Sequence, residues 1–167
     1  MQERIKRDIV PGIHLIGDIC PGLENVEEVK SMLSDRKLSP GFVREISVLV
    51  DDSRDFYMYV DDVEKMLVAC LNHIRNSDER IVYLDFLHEL IHMIQLHDGK
   101  NLYDRRYKYS ERPTEIEAYR VAINEGRRIG MSEGELFDYL NVEWMKEGEH
   151  EKLARRIGLT SPGRNHS

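Results

Sequence analysis

The chain has little of what would direct it to a membrane, an oxidising compartment or a nucleic acid. Only two cysteines, Cys20 and Cys70, occur in 167 residues, far apart and outside any CxxC pair. Two are too few for a disulfide framework, so a reducing, cytoplasmic setting is expected. No apolar run approaches the 18 or so residues needed to span a bilayer. The first residues, "MQERIKRDIVPGIHLIGD", show neither an uninterrupted apolar stretch nor a small-residue cleavage site, so no signal peptide is expected. Positive charge is also scarce: 24 basic residues against 31 acidic ones give a formal net charge of −7. That balance argues against a nucleic-acid partner, whose phosphates need a basic face. The one basic stretch, "DRRYKYSER", reads as a solvated loop. Internal repeats and low-complexity tracts are missing as well.

What is present is ordinary for a globular chain, 41% hydrophobic and 33% charged, and long enough to bury a real core as one domain over residues 1–167. Two Pro-Gly pairs, at 11–12 and 21–22, mark residues 1–22 as an irregular arm with room for one short strand. Val26, Val29, Met32 and Leu33 recur at helical spacing and predict a helix over about 23–36. "VREISVLVDD" and "FYMYVDD" alternate around a polar turn and read as a β-hairpin. "KMLVACLNHIRN" is open between a third strand and a helix, with a strand over 66–74 preferred because it would complete a small sheet. Asn76-Ser77-Asp78 then opens a helix running to about residue 97, where Asp98-Gly99 stops it. A polar loop over 99–113 leads to a second helix over about 114–129. Ser132 and Glu135 form a capping box for a third, reaching about Lys146. A last short helix spans 149–157, and 159–167 reads as a flexible tail. The fold class is α+β, a small, mostly antiparallel sheet among helices.

Within the long helix, "DFLHELIHMIQLHDG" (85–99) holds three histidines and one glutamate amid apolar residues. On a wheel of about 100° per residue, Asp85, His88, Glu89, His92 and Gln95 share one arc of about 120°. Phe86, Leu87, Leu90, Ile91, Met93 and Ile94 fill the rest. The helix is therefore buried on most sides and carries one narrow polar stripe.

The stripe contains "HELIH", the HExxH pattern. Histidines at i and i+4 can both aim a ring nitrogen at one Zn²⁺, about 2.0–2.1 Å away. Glu89 cannot comfortably reach the same ion, but it can reach a water held there and take its proton during attack on a carbonyl. Seven histidines and 18 glutamates predict about 0.03 such matches by chance in a shuffled chain of this length. A catalytic site needs a third protein ligand. His97 falls about 140° from His92 at the helix end, no HExxHxxGxxH break follows, and His150 lies in a highly charged segment. In the next helix, Glu115, Ala118, Tyr119, Ala122 and Gly126 share a face whose small residues allow close approach. Glu117 has a local use, a capping box with Thr114. Glu115 is thus preferred as third ligand, with Glu117 the alternative.

"HELIH", followed 23 residues after His92 by "EIEA", resembles the gluzincin zinc metallopeptidases, and the short chain is most similar to the small archaeal minigluzincins. The resemblance implies a zincin-like domain with His88, His92 and Glu115 as zinc ligands and Glu89 as general base. It implies a peptide or protein substrate laid along an edge strand before the zinc helix, which on "LVACLNHI" would bring Asn72 to the cleft. It also implies that the cleft can be covered by the chain itself, in a latent form, for which "EGEHEKLARRIGL" is a candidate. The buttressing aspartate of the thermolysin type is replaced by Tyr119, and the GAMEN aminopeptidase motif is missing. Tyr107 and Tyr109, in the loop between the helices, are candidates for stabilising an oxyanion. The rival reading is a non-catalytic binding or regulatory module with a structural or occluded metal. Glu89 favours chemistry, since a purely structural metal has no use for a base.

Overall fold

The computed structural model describes residues 5–53, 56–142, 145–146 and 148–159. Four strands, β1 (Gly12–Leu15), β2 (Ser47–Asp51), β3 (Met58–Asp61) and β4 (Met66–Cys70), form one sheet in the order β1-β2-β4-β3. The helices are α1 (Ile16–Ile19), α2 (Glu27–Asp35), α3 (Gly41–Arg44), α4 (Leu71–Asn76), α5 (Glu79–His97), α6 (Pro113–Arg128), α7 (Glu133–Tyr139) and α8 (Glu149–Arg156). The class is α+β, as the sequence predicts. Among the described residues, no helix is long and apolar enough to cross a membrane.

The sheet corrects two expectations. β2 and β3 do not form a hairpin; β4 lies between them, parallel to β2 and antiparallel to β3. Burial explains the order. Leu67, Val68, Ala69 and Cys70 are all buried, so β4 needs cover on both faces and takes a central place. β3 buries only Val60 and suits an edge. The true hairpin joins β3 to β4, and its turn is set by Asp61, whose Oδ1 accepts the Val63 and Glu64 amides at 3.0 Å each. The strand expected over 66–74 ends at Cys70. Beyond it, Leu71, His73 and Ile74 are buried on one side of α4, a helical rather than an alternating pattern.

The arm before residue 22 holds the one short strand expected there, β1, antiparallel to β2, and Ile5, Ile9, Ile16, Ile19 and Cys20 anchor it in the core. Two further boundaries differ. α7 ends at Tyr139 rather than near Lys146, although its capping box between Ser132 and Glu135 forms as expected. Of the expected tail, only Leu159 is described, and it is buried; 160–167 lie outside the described residues.

α5 and α6 pack side by side in the middle of the molecule. Gly126 makes room on both sides: a Cβ there would stand 3.2 Å from Leu84 Cδ1 of α5 and collide with Leu136 of α7. Tyr83 of α5 donates to Glu125 of α6, and the Glu125 carboxylate also receives Arg128 at 2.5 and 2.9 Å. That satisfied buried network fixes one end of the helix pair. The pair sets α5's polar stripe opposite the first turn of α6.

Candidate metal centre

α5 starts where the sequence places it, with the Asp78 side chain accepting the Arg80 amide at 2.8 Å. It stops at His97, two residues before Gly99, whose φ of +82° suits the left-handed residue that closes a helix. From Val82 to Gln95 every residue but Asp85 is buried. The stripe is therefore polar without being wet: His88, Glu89, His92 and Gln95 are at most 8% exposed. Burying so many polar groups is costly unless each finds a partner. His88, Glu89 and His92 bring ligand-type atoms within 4.8 Å of one another, a buried group that could hold a metal ion.

Glu115, in the first turn of α6, approaches the two histidines more closely still. Its Oε1 lies 3.0 Å from His88 Nε2 and 3.1 Å from His92 Nε2, and the two nitrogens are 3.1 Å apart. Three donor atoms thus form a nearly equilateral triangle. Ligands of a tetrahedral Zn²⁺ at about 2.0–2.1 Å would stand about 3.3–3.4 Å apart, so the triangle needs to expand only slightly to fit the ion. A single hydrogen-bonding proton cannot satisfy three such atoms together, whereas a cation at their centre does.

The surroundings treat the two histidines differently. His92 Nδ1 lies 2.7 Å from Gln95 Oε1, and the Gln95 amide donates to Thr114 O at 3.0 Å and Glu117 Oε1 at 2.8 Å. Gln95 accepts the Nδ1 proton, which leaves Nε2 free for the triangle. His88 has no such brace: its Nδ1 is buried without a hydrogen-bond partner among the described residues. Instead the Tyr119 ring packs against it at a centroid distance of 4.2 Å. Tyr119 thus fills the place of the absent aspartate by contact, not by hydrogen bonding. Glu117 is not part of a capping box with Thr114. The Thr114 hydroxyl is buried without a partner, and α6 opens on Pro113 with no side-chain cap. The Glu117 carboxylate serves Gln95.

A cavity of about 400 Å³ opens onto the triangle, lined among others by Met58, Tyr59, Asp85, Tyr103 and Arg112. Burial pushes the Glu89 carboxyl up to about 8, and its Oε2 is buried without a partner. Burial alone would lower His92, but the Glu115 carboxylate outweighs it and raises the imidazole to about 9. Burial lowers His88. Desolvation works against ionised Glu115 as well, yet His92 and His88 hold its carboxyl well below the usual range. The metal-free chain therefore keeps a second proton on His92, beside the ionised Glu115, which a metal bound at Nε2 would displace.

Other predicted residues are placed less uniformly. Tyr109 lines the cavity, its hydroxyl 2.6 Å from that of Tyr119. Tyr107 does not line it; the residue is 41% exposed, with Arg106 over its ring. Asn72 lies on α4, exposed, bonded to Asn76. β4 has no free edge to offer a peptide; the edge strand at the cavity is β3. α8 lines no part of the cavity and packs behind the interhelical loop, where Arg156 donates to Ser110 O at 2.8 Å. His97 meets Phe42 edge to face at the far end of α5, and His150 bonds Phe137 O. Sequence reasoning missed Tyr103, Arg112 and Tyr139. They come from separate elements, and no periodicity links them to the HExxH helix.

No protein-family model matches the chain, and comparisons with curated proteins and with solved structures likewise return no match.

Proposed function

We propose that the chain is a zinc-dependent peptidase in which His88, His92 and Glu115 hold the ion and Glu89 is the general base. The observation that carries this reading is the 3.0–3.1 Å triangle of Nε2, Nε2 and Oε1 facing an open cavity. Two imidazoles and one carboxylate are the donor set of a catalytic zinc with a vacant fourth position. Zinc in that position supplies a Lewis acid that makes water nucleophilic near neutral pH.

The residues around it have distinct tasks. Glu89 follows His88 on the same stripe and makes no ion pair with any described residue. Its carboxylate takes a proton from the attacking water and returns it to the leaving amine. Its raised pKa in the metal-free chain suits a group that must both accept and release a proton near neutrality. Tyr109 and Tyr119 keep their hydroxyl protons, since burial raises both well above the usual value. One of that pair can donate to an oxyanion, with Tyr109 the candidate.

The peptide would lie along β3. Cys70 donates its amide to Tyr57 O at 2.9 Å, so by the antiparallel alternation Met58 and Val60 turn their backbone groups to the free edge. The Tyr103 hydroxyl already donates to Val60 O, which leaves Met58 to pair with an extended substrate.

The test is metal analysis with a cleavage assay on a mixed peptide substrate. We expect about one zinc per chain, hydrolysis that a chelator abolishes, and zinc without hydrolysis in Glu89→Gln. A chain that binds no zinc would end the proposal.

A further inference from the structure

Arg112 is, among the described residues lining the cavity, the one side chain with a permanent positive charge. Buried or half-buried arginines normally answer a carboxylate, because a guanidinium offers five donors in a fixed fork. This one does not. Its Nε is buried with no hydrogen-bond partner, and no described carboxylate forms an ion pair with it. Among the described residues its side chain packs on the Tyr109 ring, 5.8 Å from Cζ to the centroid.

Two of the three acids lining the same cavity, Asp85 and Glu115, are engaged elsewhere, and the third, Glu89, forms no ion pair with Arg112. Asp85 is held by His73 at 2.6 Å and by the Tyr139 hydroxyl at 2.8 Å. Glu115 belongs to the histidine triangle. Other arginines of the same loop and helix have answers within the chain: Arg106 pairs with Asp104, and Arg128 with Glu125. An unpaired buried donor costs stability, and here the cost falls on a cation lining the cavity in which a substrate would lie.

Position separates Arg112 from the reacting centre. Between it and His88 stand two rings, Tyr109 and Tyr119, with centroids 6.2 Å apart, the second of them packed on His88. A group bound by Arg112 would therefore sit beyond the scissile carbonyl, along the peptide. Resting on the peptidase reading, we propose that Arg112 receives a carboxylate of the substrate, within a few residues of the bond that is cut. The carboxylate can be the peptide's own C-terminus or an Asp or Glu side chain, and the fork would hold either bidentately.

The experiment uses the zinc-loaded full chain and matched alanine-rich hexapeptides. One pair differs in a free or amidated C-terminus. Another, amidated throughout, carries Glu or Gln at successive positions. We expect a preference of about ten- to one-hundred-fold in kcat/KM for the peptide bearing the carboxylate, and the pair that shows it identifies the source. In Arg112→Gln, with zinc content and Tm checked against the parent, the ratio should fall to near one; Arg112→Lys should retain part of it. Equal cleavage within both pairs overturns the proposal, and so does a preference that survives Arg112→Gln. If no peptide is cut, the peptidase reading fails separately, and titration calorimetry of the same peptides decides for Arg112. Carboxylate-dependent binding lost in Arg112→Gln supports the site, and binding indifferent to either change removes it.

Discussion

The polar stripe of α5 has two ends and a middle, and they are built on different terms. At one end, Asp85 has both oxygens answered, by His73 and Tyr139. At the other, Gln95 is fully buried and bridges His92 to Thr114 and Glu117 of α6. The middle leaves His88 Nδ1 and Glu89 Oε2 without partners and crowds three ligand atoms into one triangle. Burial at the ends is offset by hydrogen bonds; burial in the middle is not. Unsatisfied polar groups are retained where the bound state, rather than the free chain, completes them. The ends hold the helix pair in place, and the middle is a buried group that could hold a metal ion.

The largest effects should come from breaking the triangle. Glu115→Ala removes the carboxylate that both Nε2 atoms share, and zinc affinity should fall on the order of a thousand-fold or more, read by competition with a chromogenic chelator. A chain that kept its zinc would move the third ligand to Glu89, which also lies near both histidines. Glu89→Gln should leave zinc in place and lower hydrolysis by about 10²–10⁴-fold. The same change should stabilise the metal-free protein at pH 8, on the order of 2 kcal/mol, because it removes an acid that must stay protonated in the fold. A loss of metal-free stability would show that Glu89 has a structural partner.

Smaller effects belong to the Gln95 brace and to the shared proton. Gln95→Leu keeps the packing volume but leaves His92 Nδ1 without its acceptor, and zinc affinity should drop about 10–100-fold. Unchanged affinity would mean that the ring is held by packing alone. For pH, the sign follows from the two raised groups. Glu89, raised by burial to about 8, and His92, raised to about 9 by the Glu115 carboxylate against the burial that opposes it, both bind protons in the fold that the unfolded chain has released. Between pH 6.5 and 9 the chelated protein should therefore lose stability as pH rises, on the order of 1 kcal/mol per pH unit. Zinc reverses the trend, since it competes with the His92 proton. Thermal denaturation of chelated and zinc-loaded protein at pH 6.5, 7.5 and 8.5 reads both slopes; parallel slopes would place the proton elsewhere.

What the sequence could show divides along the same lines. Helical periodicity placed His88, Glu89, His92 and Gln95 on one face, and the small residues Ala118, Ala122 and Gly126 marked the side of α6 that meets α5. Both signals are local, repeating every three or four residues. The sheet was misread because strand order is not local. β2 and β3 are neighbours in sequence, yet the all-buried "LVAC" of β4 takes the place between them. Asn72 was lost with that strand. The cavity wall was illegible for a related reason: Tyr103, Arg112 and Tyr139 meet only because a loop and α7 fold back over α5. Tyr107 and Tyr109 stand two residues apart in that loop, and nothing in the sequence tells which one turns inward.

The smallest effect expected is at the Asp85 end, where Asp85→Asn replaces one carboxylate oxygen by an amide. Tyr139 can still donate to the remaining oxygen. The other contact, 2.6 Å from His73 Nε2, changes from acceptor to donor. A neutral imidazole can meet that change by moving its proton to Nδ1, which then donates to Ser77 Oγ, 2.8 Å away. The side chain is also 22% exposed, so water can soften the exchange. Asp85→Asn should cost about 1 kcal/mol, a fall of about 2–4 °C in Tm for a chain of this size. NMR of the imidazole nitrogens should show His73 in the Nδ1–H tautomer. Zinc affinity should stay within about two-fold of the parent, because no bond of the triangle passes through Asp85. A ten-fold loss of zinc would mean that this end of the stripe is coupled to the metal site through Glu89 or the Tyr139 and Tyr119 rings, 6.3 Å apart, and the division between structural ends and a functional middle would have to be redrawn.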